Sequence, residues 1–317
     1  AFVRLAAGEL LVLGAAVGLA VALSRSPTPV PEIAVEPDPL VELLGFAPPG
    51  PLTAARLIGD VLPDMVWLTV VAAGLLAYLA GVRRLRAAGT AWPARRTGSW
   101  VAGMLLLGAV TCLGAAKYAY LLFEVHLAQH VLLATAVPLL LLGGAPVPLA
   151  LRALRRPADP DVRGAREWLL VLLRGSFLRF LSRPVVAIVL YVTTVYGLYV
   201  TGTLGRVMRS DLGPLVMQLV FVLAGLLVFA ARPRVVIRVA VAAAYVLLGI
   251  WLLRSTTVIG TDWYPAVHPD VAPSLLDDQR RAAWVAWAAV PLLLIPTAAR
   301  PAARVPRSGG VPARAGA

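Results

Sequence analysis

FEVHLAQHVLLATAVPLLLLGGAP, residues 123–146, decides the fold. His126 and His130 stand four residues apart where an apolar, membrane-length stretch begins. Residues i and i+4 share one helix face, with Cβ atoms about 5–6 Å apart, so both imidazoles can reach one ion. Polar groups at membrane depth are costly and mark functional positions. The pair therefore points to a metal site at the mouth of a membrane bundle.

The rest of the chain supplies that bundle. Its 317 residues are 60% hydrophobic and only 14% charged, and the mean hydropathy is +0.83. Soluble domains carry nearer a quarter charged residues. The apolar residues fall in blocks of about 20, enough to cross roughly 30 Å of hydrocarbon. Eight blocks are predicted as transmembrane helices: Leu5–Leu23, Val61–Val82, Trp100–Leu122, Leu127–Leu149, Val185–Thr201, Leu212–Ala231, Val235–Leu253 and Ala282–Ala299. Backbone groups in lipid must be satisfied within the segment, so the blocks are helices. The fold class is an all-α, polytopic membrane bundle.

Net charge of +13 would suggest nucleic acid in a soluble protein, but here it reports topology. Arg83, Arg84, Arg86, Arg95 and Arg96 fill one loop without an acid, and arginines dominate 152–183, 232–238 and the tail. The alternate loops hold most of the acids. Basic loops face the cytoplasm, which puts both ends of this chain in the cytoplasm of a plasma-membrane protein. The partner implied by composition is the lipid bilayer, and no nucleic acid is called for.

Four regions follow: a helix over 1–23, a Pro-rich external linker over 24–60, a seven-span domain over 61–300, and a basic cytoplasmic tail over 301–317. The linker is too rich in proline for regular structure. Residues 161–183 interleave Trp168, Leu172, Phe177 and Phe180 with Arg163, Arg166, Arg174 and Arg179. That pattern predicts an amphipathic helix in the cytoplasmic interface. Cys112 is the single cysteine, which rules out an intrachain disulfide and predicts a small buried apolar side chain.

The predicted topology puts His126, His130 and His268 on the external side, together with Met208 and Met217. Imidazole and thioether suit Cu(I), and imidazole also suits Cu(II) or zinc. Ordinary roles compete: hydrogen-bonding at a wet rim for the histidine pair, core packing for the methionines, a loop hydrogen bond for His268. Catalysis is disfavoured. A zinc-protease motif needs Glu directly after the first His, and Leu127 stands there. One helix at i, i+4 cannot offer two imidazoles to opposite faces of a haem iron. No Ser/His/Asp set or inward-facing carboxylate pair stands in the spans.

Three stretches together resemble the CtaG-type cytochrome c oxidase assembly family: YLAGVRRLRAAGTAWPARRTGSWVAG, FEVHLAQHVLLATAVPLLLLGGAPVPLALRAL and LLDDQRRAAWVAW. The likeness spans about residues 61–300. Its most specific part sets the His-x-x-x-His ahead of Pro138, Gly144-Ala145-Pro146 and Arg152. The resemblance implies a seven-span membrane protein linked to copper supply, with respiratory oxidase subunits or a copper chaperone as partners. It maps His126 and His130 onto the family's histidine pair and Asp278-Gln279 onto its Asp-Gln before the last span. Met217-Gln218 stands where the family tends to have histidine, and Ala289-Val290-Pro291 where an acid often precedes proline. FVRLAAGELLVLGAAVGLAVALSRSPTP, residues 2–29, resembles the last helix of a CopD-type copper resistance domain. In actinobacterial proteins that domain is fused ahead of the CtaG-type one, and a chain opening at Ala1 fits a piece of such a fusion.

The expectation is a non-enzymatic membrane protein that binds or passes copper externally during oxidase assembly, with His126, His130, Met217 and His268 as metal ligands. A transporter would show mid-span polar residues and broken helices, whereas these spans read as mostly clean. A structural partner subunit would hold no metal. Topology is checked by labelling introduced cysteines in intact cells with an impermeant reagent. Sites in 24–60 and 254–281 are expected to label, and sites in 83–98, 150–183 and 232–234 to stay protected.

Overall fold

The computed structural model describes residues 38–155, 164–231, 234–269 and 272–294. The expected first span, the CopD-like stretch and the basic tail lie outside these residues. Every regular element among them is a helix. The chain divides into two compact units, Ala1–Phe46 and Ala47–Ala317.

In the first unit, α1 (Pro39–Leu44) has proline at its first position, Asp38 accepting from the Leu40 N–H at 2.9 Å, and left-handed Gly45 at its end. The second unit opens with α2 (Ala54–Gly59), capped by the Thr53 hydroxyl on the Arg56 N–H. The linker is thus not irregular throughout. Among the described residues, its prolines sit outside the helices or at their first position, where the missing N–H costs nothing.

Long helices follow. Asp64 caps α3 (Met65–Ala87) through the Val66 and Trp67 N–H groups. The expected third span is α4 (Ala94–Cys112) and α5 (Gly114–Leu121), bent by 46°. At the bend Leu113 is extended, and a Cβ on Gly114 would lie 1.9 Å from the Arg56 carbonyl. Gly114 therefore allows α2 to seat against the bend. Cys112 beside it is 3% exposed, an apolar filler as expected.

The expected fourth span is three helices: α6 (Phe123–Ala134), α7 (Ala136–Gly143) and α8 (Pro146–Ala153). Thr135 interrupts the first pair at φ −123°, ψ −72°. Pro138 has no N–H for the Ala134 carbonyl, and the Tyr191 hydroxyl lies 3.4 Å from that oxygen. The second break is at Ala145, whose φ of 51° is left-handed. The reading of clean spans is corrected here: breaks need only one proline or one non-helical residue, which a hydropathy pattern does not register.

The amphipathic stretch is likewise two helices, α9 (Ala165–Arg174) and α10 (Ser176–Leu181), parted at Gly175. The remaining helices are α11 (Pro184–Val200), α12 (Leu204–Met208), α13 (Gly213–Ala230), α14 (Arg234–Arg254), α15 (Tyr264–Val267) and α16 (Leu275–Leu294).

Four helical stretches among the described residues are long and apolar enough to cross a membrane, or five with the bent α4–α5 pair. They are α3, the α6–α8 run, α13 and α14. Eight were expected. Helix α11 is apolar but has only 17 residues, because Pro184 sets its start. Helix α16 opens with Asp277, Asp278, Arg280 and Arg281, which take most of its first two turns out of an apolar window.

The second unit is organised as a ring. Helix α6 packs on α16, α16 on α14, α14 on α11, α11 on α13, and α13 returns to α6 and α7. On the other side of α7, α4 packs against it and α3 packs on α4 and α8. Within lipid, packing and small residues rather than a hydrophobic driving force hold helices together. Accordingly α16 buries Ala282, Ala283, Ala286 and Ala289. Gly225 on α13 meets the break in α6–α7, where an added Cβ would lie 2.3 Å from the Ala134 carbonyl and 2.5 Å from Pro138 Cγ. Gly225→Ala is expected to destabilise the detergent-solubilised protein by about 1–3 kcal/mol. Gly197→Ala, whose Cβ would meet only the Thr193 methyl at 3.9 Å, is expected to be neutral or slightly stabilising in thermal unfolding.

Candidate metal centre

Helix α6 begins without a capping side chain of its own, since Leu122 stands at its N-cap. The cap comes from 155 residues away. Asp278 on α16 accepts from the Phe123 N–H at 2.7 Å and the Glu124 N–H at 2.9 Å, one carboxylate oxygen to each. Gln279 holds the neighbouring loop, accepting from the Ile259 N–H at 2.9 Å and donating to the Thr257 carbonyl at 3.1 Å. The Asp-Gln pair thus fixes both the start of the histidine helix and the loop above it.

With the helix start set, His126 and His130 point into the ring and are 1% and 0% exposed. Their ring centroids lie 4.2 Å apart, with the planes at 65°. The His130 ring stacks on Phe221 of α13 at 4.1 Å, and its Nδ1 is 2.9 Å from the Tyr199 hydroxyl of α11. The Ala119 carbonyl lies beside the His126 ring. Nε2 of each histidine is buried without a hydrogen-bond partner.

Such orphaned atoms are uncommon in folded proteins and call for an explanation. A neutral imidazole carries one N–H and one lone pair. A carbonyl can only accept, so a His126 ring N–H directed at Ala119 leaves the other ring nitrogen with a bare lone pair. In the His130 tautomer that donates Nδ1–H to Tyr199, Nε2 is bare as well. A ring held through one nitrogen with the other free is the arrangement of metal-ligating histidine. Two imidazoles so held could take a copper or zinc ion.

The other expected ligands are less closely gathered. Met217 is buried on α13 one turn before Phe221, and both line an apolar cavity of about 600 Å³ between α11 and α13. Met208 is buried on α12. His268 ends α15, with Nε2 2.6 Å from the Pro273 carbonyl. No three His, Cys, Asp or Glu side chains gather as a metal cluster among the described residues.

The pair is also more enclosed than an open mouth would be. Tyr264 of α15 meets Phe123 edge-on at 5.8 Å and His126 at 6.3 Å. Trp263 donates to the Tyr120 carbonyl at 2.8 Å. Arg209 reaches the Asp262 carbonyl through Nε at 3.0 Å and through a second guanidinium nitrogen. The loop before α16 is thereby pinned over the histidines.

Sequence reasoning missed the aromatic side of the site. Tyr199, Phe221 and Tyr264 come from three segments, and only packing brings them to the imidazoles. The available signal was a set of tyrosines, Tyr191, Tyr199 and Tyr245, inside otherwise apolar spans. A buried phenol needs a partner. Tyr191 and Tyr245 find one another at 2.9 Å across α11 and α14.

These features define an all-helical, multi-pass membrane protein with an imidazole pair enclosed at one end of a helical ring. The chain belongs to the cytochrome c oxidase caa3 assembly factor (CtaG) family, whose model matches residues 76–307. It is 32% identical over 266 residues to an uncharacterized protein of Mycobacterium leprae, covering 80% of this chain and 40% of that one. A Mycobacterium bovis protein is 32% identical over 271 residues, again 80% of this chain and 40% of the relative. The chain thus spans less than half the length of these curated relatives. No solved structure matches it.

Asp278→Ala leaves two buried N–H groups at the start of α6 unpaired. It is expected to cost about 1–3 kcal/mol in thermal or denaturant unfolding in detergent. Asp277→Ala, at the exposed neighbour that bonds Ser274 and Arg280, is expected to leave stability unchanged.

Proposed function

We propose that this protein serves cytochrome c oxidase assembly by holding copper at His126 and His130 and handing it to an oxidase subunit or a copper chaperone. The observation that carries this reading is the pair of buried imidazoles, 4.2 Å apart, each with Nε2 unpartnered. Copper is cargo here, and the protein performs no catalysis. Two imidazoles from one helix leave a soft ion open to a further ligand. Met217 is the first choice, buried on α13 beside the His130-stacking ring, and His268 the second. The enclosing loop requires that α15 move for loading or transfer.

The wider frame of the proposal is an eight-span plasma-membrane protein with the histidine end external and both ends of this chain cytoplasmic. Domain limits are at 1–23, 24–60, 61–300 and 301–317. The clustering of Arg83, Arg84, Arg152 and Arg155 at the opposite end of the helices supports this orientation.

The broken α6–α7–α8 run favours one rival, transport of copper or a small solute through the bundle, since transporters bind at interrupted helices. Against it, the ring interior beyond His130 is filled by Phe221, Tyr191 and Tyr245, each at most 3% exposed. Holding and transfer at one end needs no passage through them.

Cu(I) competition titration of the purified protein tests the proposal. His126→Ala/His130→Ala is expected to abolish binding. Met217→Leu is expected to weaken it about tenfold, roughly 1.4 kcal/mol. Equal affinity across wild type, His130→Ala and Met217→Leu would instead favour a structural partner subunit without its own metal.

A further inference from the structure

The end of the bundle away from the histidines holds a second feature. A cleft of about 770 Å³ lies between the last turn of α3 and the end of α8. Arg84, Arg152 and Arg155 line it, above an aliphatic floor that includes Leu85, Ala153 and Leu154. No acidic side chain lines it among the described residues.

The floor is rigid. Leu85 belongs to a buried cluster with Tyr78, Val82, Trp92, Ala145 and Leu149. The Trp92 indole donates to the Tyr78 hydroxyl at 3.0 Å, and that hydroxyl donates to the Gly144 carbonyl at 2.8 Å. The guanidiniums of Arg96 and Arg152 lie 4.9 and 6.0 Å from the centre of the Trp92 ring. Arg152, an exposed residue, thus lies beside a buried aromatic side chain.

Topology accounts for basic loops, but not for this convergence. Three guanidiniums from two segments far apart in sequence share one concave site, and their mutual repulsion falls only when an anion enters. Guanidinium forks match phosphate oxygens two at a time. The adjoining helices mark the level of the bilayer. Helix α9 packs on α8, where Arg166 donates to the Leu151 carbonyl at 3.2 Å. Trp168, Leu172 and Phe177 on α9 and α10 are 57%, 65% and 73% exposed. An aromatic and aliphatic stripe on a short basic helix seats at the headgroup boundary.

We infer that the Arg84–Arg152–Arg155 cleft is a binding site for a phosphate anion, the headgroup of an acidic phospholipid or free phosphate. Basic pockets between membrane helices on the positively charged side take acidic headgroups in this manner. The aliphatic floor and the neighbouring interfacial helices favour the lipid source. This site is independent of the copper reading.

Delipidated full chain in neutral detergent is titrated with phosphatidylglycerol, phosphatidylcholine and inorganic phosphate. Native mass spectrometry reads the bound lipid, and calorimetry reads phosphate. Wild type is expected to retain phosphatidylglycerol and not phosphatidylcholine. Arg84→Gln/Arg152→Gln/Arg155→Gln is expected to lower its affinity at least about tenfold. Arg83→Gln/Arg86→Gln/Arg95→Gln, which removes the same charge from exposed positions outside the cleft, is expected to change it little. Arg84→Lys/Arg152→Lys/Arg155→Lys keeps the charge and loses the forked geometry, and should fall between. It also supplies a comparison should the Gln variant melt early. Phosphate binding that depends on the cleft arginines, without lipid binding, assigns the site to free phosphate. Equal loss in the cleft and control variants, or phosphatidylcholine bound as tightly as phosphatidylglycerol, overturns the inference.

Discussion

The arrangement at the histidine end depends on one carboxylate. Asp278 reaches from the first turn of α16 to the two leading N–H groups of α6, a helix that opens after Leu122 with no cap of its own. A helix start without partners would leave these N–H groups unpaired at a cost of about 1–3 kcal/mol. The bond sets the depth and rotation of α6, and so determines that His126 and His130 face the ring. It also ties α16 to the centre of the fold, and the adjacent Gln279 anchors the loop that covers the imidazoles.

Breaks in the helices serve the same geometry. The interruption at Thr135 and Pro138 frees the Ala134 carbonyl, which is approached by the Tyr191 hydroxyl from inside the ring and by the Gly225 backbone from α13. Tyr191 in turn meets Tyr245, so α6, α11 and α14 share one polar contact in an apolar interior. Polar groups away from water gain partners wherever packing allows, and here the partners are phenols. Tyr199, one of this group, is also the partner of His130. The copper proposal rests on the contrast: the phenols are satisfied, while two imidazole nitrogens beside them are not.

The two ends of the bundle differ in chemistry. At one end, acids and amides tie backbone to backbone and close over the histidines. At the other, arginines gather around Trp92 and the α3–α8 cleft, with no acidic side chain lining the cleft among the described residues. The proposed copper site lies at the first end and the proposed headgroup site at the second.

Much of this was legible in the sequence. The all-helical membrane class followed from apolar blocks and scarce charge, because lipid permits no other way of satisfying the backbone. The shared face of His126 and His130 followed from helical spacing, and the family from the same motif with Pro138, Gly144-Ala145-Pro146 and Arg152. Hydropathy measures apolar content over a window. It therefore did not show the bend at Leu113, the breaks at Thr135 and Ala145, or the short helices beside the linker prolines. It did place α11, expected over Val185–Thr201 and found over Pro184–Val200. Tertiary structure alone decided that Asp278 caps α6, that Tyr199, Phe221 and Tyr264 enclose the histidines, and that Arg84 meets Arg152 and Arg155. Each of these joins residues far apart in the chain, and a pairing of that kind is set by how helices cross, which no local pattern encodes.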